Sequence, residues 1–66
     1  MEYTEKFRAK VRQLRGKMNW AQEGLARELD VSLSTVQRWE EKGAKPARHS
    51  RRVLQSLFQQ AGISNE

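Results

Sequence analysis

The chain has 66 residues, near the lower limit for a chain that folds by itself, so we expect one domain, residues 1–66, with no cofactor. It has no cysteine, which excludes disulfides and thiolate metal sites, and no apolar run near the roughly 20 residues of a membrane span. It also lacks a signal-peptide-like N-terminus, so we expect a cytoplasmic protein without membrane contact.

The positive charge is concentrated in two stretches. Thirteen Lys and Arg against eight Asp and Glu give a formal net charge of +5 and a pI near 10.3. Residues 42–52 hold five cations and His49 without an acid, and residues 6–17 hold six cations offset only by Glu2 and Glu5. Such charge is the usual footprint of a phosphate-binding surface, but solubility also explains a single charge run. Charge by itself does not distinguish DNA from RNA or from an anionic membrane.

The first helix is predicted from apolar residues at intervals of four, three and four. These residues are Phe7, Val11, Leu14 and Met18. Thr4 is a suitable N-cap, and Gly16 and Asn19 interrupt the pattern.

A second helix is predicted from Leu25, Ala26 and Leu29, which share one helical face. Its start has two interpretations. Asn19 with Gln22 resembles a capping box, whereas a start near Ala21 would place Trp20 against Leu25 as a hydrophobic staple. We favour the second.

A third helix follows Ser32, which is a good N-cap. Val36 and Trp39 are spaced to point inward, and Gly43 is a suitable stop.

A fourth helix is predicted from Pro46, which suits a first helical turn, to Ala61, with Gly62 ending it. Its apolar face is formed by Val53, Leu54, Leu57, Phe58 and Ala61. We expect this face to leave Phe58 and Ile63 for a partner. No segment alternates with period two, so we predict an all-α bundle of four to five helices.

Residues 22–41 read as two short helices joined by a tight turn, with the small Ala26 at their crossing. The run QEGLARELDVSLSTVQRWE, residues 22–40, resembles the phage-repressor type of helix-turn-helix protein, the Cro-like or Xre-like family. The resemblance extends from Leu14 to Pro46, half of the chain. It implies a lambda-repressor-like DNA-binding fold and a bacterial or phage origin.

The third helix carries the predicted base contacts. Since Val36 and Trp39 point inward, four residues face outward, at positions that the family uses to contact bases: Leu33, Ser34, Gln37 and Arg38. Gln37 suits adenine, Arg38 suits guanine, and Leu33 suits a thymine methyl group. Ser34 is alternatively a solvated side chain.

Phosphate contacts are expected around this helix. The resemblance implies one for Gln22, at the start of the second helix, where free N–H groups also favour an anion. The basic stretch supplies Lys42, Lys45 and Arg48. Ser32 and Thr35 are either structural caps or phosphate donors. His49 is either a phosphate contact or a plain surface residue.

Other residues are expected to be structural. Trp20 and Trp39 have core spacing. Arg15 and Glu40 resemble the family's ion pair between the first helix and the end of the third, which makes Arg15 an indirect positioner of the recognition helix.

The chain departs from the family pattern in the second helix and the turn after it. Asp30 replaces a turn glycine and would need a positive φ, Gly24 costs about 1 kcal/mol in a helix, and Ala21 lacks a capping hydroxyl. These departures suggest modest stability.

The function predicted is sequence-specific binding of double-stranded DNA by a transcriptional repressor or autoregulator, with a homodimer on DNA left open. The alternative is a protein-interaction module, such as an antitoxin with a protein partner and weak DNA binding. Structured RNA is a less suitable ligand, because the aromatic residues have core positions and do not form an exposed platform on which bases could stack. The chain has one histidine, no cysteine and no carboxylate pair beside a nucleophile. We therefore expect that it is not an enzyme.

Overall fold

The computed structural model describes residues 5–63. Four helices follow one another along the chain: α1 Glu5–Met18, α2 Gln22–Leu29, α3 Leu33–Lys42 and α4 Arg48–Gln60. Residues 5–63 contain no strand, so the fold is all-α with four helices. None of these helices is long and apolar enough to cross a membrane. Thr4, the predicted cap of the first helix, lies outside the described residues.

α1 continues through Gly16, which was expected to interrupt it, and ends at Met18. Asn19 ends the helix because it adopts the left-handed conformation, with φ 60°. Asparagine tolerates this conformation better than most residues. The following N–H of Trp20 donates to the carbonyl of Arg15 at 2.9 Å, which closes the helix end.

α2 begins at Gln22 after an extended Ala21, in agreement with a start near Ala21. Asn19 therefore ends the first helix and does not cap the second. Ala21 offers no side-chain acceptor to the free N–H groups of the first turn. Trp20 is half-buried, and its side chain lies 3.4 Å from the position that a Cβ at Gly24 would occupy. The indole thus packs over the start of α2.

The turn between α2 and α3 depends on Asp30. It adopts the left-handed conformation expected for this position, with φ 58° and ψ 45°. The N–H of Val31 then donates to the carbonyl of Ala26 at 2.9 Å. Ser32 caps α3 by accepting a hydrogen bond from the N–H of Thr35. Only three residues therefore separate the two helices.

α4 begins at Arg48, two residues later than Pro46. The prediction that Pro46 lies in the first helical turn is wrong, because Ala47 is still extended, with φ −64° and ψ 162°. Ala47 is the N-cap, and its carbonyl accepts the first helical bond, from the N–H of Arg51 at 2.8 Å. Pro46 is instead a buried residue of the loop before the helix.

The core lies between the four helices. α1 and α2 pack on α3, and α4 packs on α1 and α2. The ring of Phe7 meets that of Trp39 edge to face, with centroids 6.3 Å apart and planes at 69°. The buried apolar residues are Phe7, Val11, Leu14, Leu25, Ala26, Leu29, Val36, Trp39, Leu54, Leu57, Phe58 and Ile63. Trp39 is thus a core residue.

The expectation that Phe58 and Ile63 remain for a partner is wrong. Phe58 is 4% exposed and Ile63 is 7% exposed, so both belong to the core of this chain. The physical reason is the turn at Gly62, whose φ is 74°. This turn lets the N–H of Ile63 donate to the carbonyl of Phe58 at 2.8 Å, which folds the end of the chain back onto the core.

Candidate nucleic-acid interface

The exposed side of α3 brings together the four predicted base-contacting residues. The buried side is formed by Val36, Trp39 and Glu40. The other side carries residues whose side chains are exposed or half-buried: Leu33, Ser34, Gln37, Arg38 and Glu41. The helical period of 3.6 residues places all of them on one side of the helix.

Gln37 and Arg38 are available to a ligand. Within residues 5–63 neither side chain forms a hydrogen bond or an ion pair. The Arg38 guanidinium has five N–H donors and the Gln37 amide has two donors and an acceptor, which are the groups needed for bidentate base recognition.

Three hydroxyl groups cluster at the start of α3. Ser32 Oγ lies 3.1 Å from Ser34 Oγ and 2.9 Å from Thr35 Oγ1. It also accepts from the Thr35 N–H at 3.3 Å. The structural role predicted for Ser32 and Thr35 is therefore present. Since a hydroxyl accepts two bonds and donates one, the cluster keeps capacity for a phosphate oxygen.

A buried carboxylate at the end of α3 is held by α1. Glu40 is 3% exposed. Arg15 donates to it through Nε at 2.6 Å to Oε2 and through Nη2 at 3.0 Å to Oε1. The hydrogen bond that Arg15 donates to Glu40 raises the pKa of Arg15 above its ordinary value, although burial opposes this. The guanidinium is therefore charged at every physiological pH, and the pair joins α1 to α3 in one orientation.

Gln22 is bound to the same carboxylate. Its Nε2 donates to Glu40 Oε1 at 3.1 Å. An amide nitrogen carries two hydrogens, so the second remains for the predicted phosphate contact. The structure thus places Gln22 in contact with the end of α3, which the sequence did not indicate.

Two further arginines of α1 bind the last turn of α3, and sequence reasoning missed both. Arg12 Nη2 donates to the carbonyl of Glu40 at 2.9 Å, and Arg8 Nη1 donates to the carbonyl of Glu41 at 2.7 Å. Helix C-terminal carbonyls lack intrahelical partners and favour a cation. The available signal was the spacing of four and three between Arg8, Arg12 and Arg15, which defines one side of α1.

These contacts separate the cations that bind other parts of the fold from those that do not. The α1 arginines are committed to α3, and Lys10 Nζ lies 5.2 Å from the centroid of the Phe58 ring. The predicted phosphate contacts Lys42, Lys45 and Arg48 are instead exposed, at the end of α3, in the following loop and at the start of α4. The basic stretch around α4 therefore keeps exposed cations that form no contact with α3, and Lys6 and Lys17 of α1 are exposed as well.

The described residues contain no group of three or more His, Cys, Asp or Glu that could hold a metal ion. His49 is exposed on the first turn of α4. The described surface therefore has an exposed, mainly polar side on α3 and exposed cations in the residues that follow it.

A three-residue turn between two helices, with an exposed polar side on the second, defines a helix-turn-helix protein. A family model described as helix-turn-helix matches residues 11–49, which are 39 of the 66 residues. The chain belongs to this family, the Cro-like and Xre-like group of DNA-binding transcription regulators. Comparison with curated proteins and with solved structures gave no match.

Proposed function

We propose that this chain, acting as one domain, binds a specific double-stranded DNA sequence and represses transcription, in the manner of a repressor or autoregulator. The observation that carries the proposal is the exposed side of α3, where Gln37 and Arg38 have no partner within the described residues. An α-helix fits the major groove, where each base pair presents a distinct set of donors, acceptors and methyl groups.

The side chains of α3 suit particular base edges. The Arg38 guanidinium can donate to O6 and N7 of one guanine, and the Gln37 amide can pair with N6 and N7 of one adenine. Each such bidentate contact discriminates against the wrong base by about 1–3 kcal/mol. Leu33 is half-buried and offers an apolar contact to a thymine methyl group, while Ser34 accepts or donates at the start of the helix. These residues would determine sequence preference.

The register of the helix in the groove would come from phosphate contacts. Cations at Lys42, Lys45 and Arg48 follow the recognition side along the chain, and none of them is in an ion pair among residues 5–63. The free amide hydrogen of Gln22 and the hydroxyls of Ser32 and Thr35 lie at the starts of α2 and α3. A protein held in this way represses by occupying the DNA that polymerase needs.

The proposal is tested by selecting binding sites from a random duplex library at near-physiological salt with the unmodified chain. Enrichment of one motif is the expected result, and a twofold-symmetric motif would indicate a dimer. Retention without enrichment would replace sequence-specific binding by purely electrostatic binding. A lack of retention would contradict DNA binding altogether. Since Phe58 and Ile63 are buried, the apolar surface expected for a protein-interaction module is absent at these two residues.

A further inference from the structure

The last turn of α3 contains two adjacent glutamates in opposite surroundings. Glu40 is buried and accepts two hydrogen bonds from Arg15, whereas Glu41 is exposed. Within residues 5–63 the side chain of Glu41 forms no hydrogen bond and no ion pair. Glu41 therefore presents to solvent a negative charge that no ion pair of the described residues balances.

Glu41 lies at the centre of the proposed recognition side. It follows Gln37 by four residues and Arg38 by three. At about 100° per residue, it lies about 40° from Gln37 and about 60° from Arg38 around the helix, between the two. It also follows Ser34 by nearly two full turns, so these two residues are almost in line along α3. A duplex that contacts both Gln37 and Arg38 is therefore brought close to the Glu41 side chain.

The backbone of Glu41 is held in place by α1. Arg8 Nη1 donates to the carbonyl of Glu41 at 2.7 Å, and Arg12 Nη2 donates to the carbonyl of Glu40 at 2.9 Å. Gly43 then closes the helix in the left-handed conformation, with φ 65°. Unwinding the last turn to move the carboxylate away from DNA would break these contacts. The carboxylate thus projects from a fixed point of the recognition helix.

A carboxylate at this position favours neither the helix nor general DNA binding. The C-terminal end of a helix is the negative end of its dipole, and phosphates repel a negative charge. Both costs are offset where the carboxylate meets a hydrogen-bond donor of the DNA. In the major groove the donors are the amino groups of cytosine and adenine. Adenine presents the acceptor N7 beside its amino group, whereas cytosine presents a donor alone, so cytosine is the better partner.

We infer that Glu41 determines sequence specificity by accepting a hydrogen bond from N4 of a cytosine, close to the base pair that Arg38 contacts. The same carboxylate is repelled by the acceptor atoms of guanine and thymine, which disfavours these bases at that place. The inference rests on the proposed function and deepens it, because it assigns a base preference to a residue outside the four predicted base contacts.

The test repeats the site selection with the unmodified chain, with Glu41→Ala and Glu41→Gln, and with Glu28→Ala as the control. Glu28 is exposed on α2 and forms no ion pair among residues 5–63, so its removal changes the net charge equally outside α3. We expect a motif with a required cytosine for the unmodified chain and for Glu28→Ala. Glu41→Ala should accept any base at that position. Glu41→Gln should favour adenine there, because an amide pairs with N6 and N7 of adenine.

Dissociation constants give the size of the effect. Replacing the required C·G pair by T·A should weaken binding of the unmodified chain about 5- to 150-fold. The same replacement should leave binding of Glu41→Ala unchanged. Urea unfolding should show that Glu41→Ala is at least as stable as the unmodified chain, since it removes a negative charge from a helix C-terminus. A loss of stability with a uniform loss of affinity would assign Glu41 a structural role and overturn the inference.

An unrelated duplex separates base recognition from general charge repulsion. If Glu41→Ala binds the selected motif and the unrelated duplex more tightly by the same factor, Glu41 only repels phosphates and the inference is overturned. A loss of preference confined to the guanine that Arg38→Ala identifies would also overturn it, since Glu41 would then orient Arg38.

The selection also distinguishes failure of this inference from failure of the proposed function. If the unmodified chain and Glu41→Ala enrich the same motif, cytosine recognition by Glu41 fails while sequence-specific binding stands. If the unmodified chain enriches no motif, the proposed function fails, and cytosine recognition fails with it.

Discussion

Arg15 of α1 and Glu40 of α3 are joined by two hydrogen bonds, of 2.6 and 3.0 Å, around a carboxylate that is almost fully buried. The residues are 25 positions apart in the chain. Arg12 and Gln22 also bind Glu40, through its backbone carbonyl and its Oε1 respectively. α1 therefore holds the end of the recognition helix at both its side chain and its backbone, and this contact orients the exposed side of α3.

Arg15→Ala should destabilise the chain by about 2–3 kcal/mol, because it leaves the buried Glu40 carboxylate without its principal partner. The loss is smaller than that of a fully buried pair, since the Arg15 side chain is 24% exposed. Urea unfolding measures the change. Glu5→Ala is the control, because Glu5 pairs with Arg8 at an exposed position and should have no measurable effect. Equal stabilities of the two variants would show that the Arg15–Glu40 contact contributes little.

Gly16→Ala should stabilise the chain by about 1 kcal/mol. Gly16 is an exposed position within α1, and a Cβ there would have no atom within 4 Å. Alanine is therefore favoured by its helix propensity alone. Thermal unfolding should show a midpoint about 4–8 °C higher for a chain of this size. Gly62→Ala is the opposite case, because its φ of 74° disfavours a side chain, and it should lower the midpoint. A lower midpoint for Gly16→Ala would contradict the helical assignment at this position.

Arg38→Ala should relax the sequence preference at one base pair of the selected motif. The guanidinium has no partner within the described residues, so its removal leaves no buried group unpaired, and the fold should be unchanged. The expected loss is about 1–3 kcal/mol of discrimination at that pair. A repeat of the selection with the variant measures it. A uniform loss of affinity on all sequences would show instead that Arg38 binds a phosphate.

Lys45→Ala should weaken binding to every duplex and reduce the slope of log K against log salt by about 1. Lys45 is exposed in the loop between α3 and α4, outside the helix that carries the proposed base contacts. The measurement is a salt titration of binding on the selected motif and on an unrelated duplex. Lys6→Ala, an exposed cation near the start of α1, is the control for net charge. An unchanged slope for Lys45→Ala would exclude the phosphate contact.

The sequence by itself determined the helices and the turn, because these depend on local interactions. The cap at Ser32, the stop at Gly43 and the positive φ at Asp30 each follow from the conformational preference of one residue and its neighbours. The apolar spacing likewise identified the core side of α3. Pro46 was placed wrongly, because proline suits both the first helical turn and the extended segment before it.

The tertiary structure alone decided which charged and apolar residues are available to a partner. Arg12 and Arg38 are the same residue type on two helices, yet the Arg12 side chain binds the end of α3, whereas that of Arg38 forms no hydrogen bond within residues 5–63. The difference arises from the packing of α1 against α3, which joins residues 28 positions apart in the chain. Phe58 and Ile63 became core residues for a similar reason, since the turn at Gly62 folds the chain end inward. Contacts of this kind depend on how helices are arranged, and the periodicity of a single helix does not contain that arrangement.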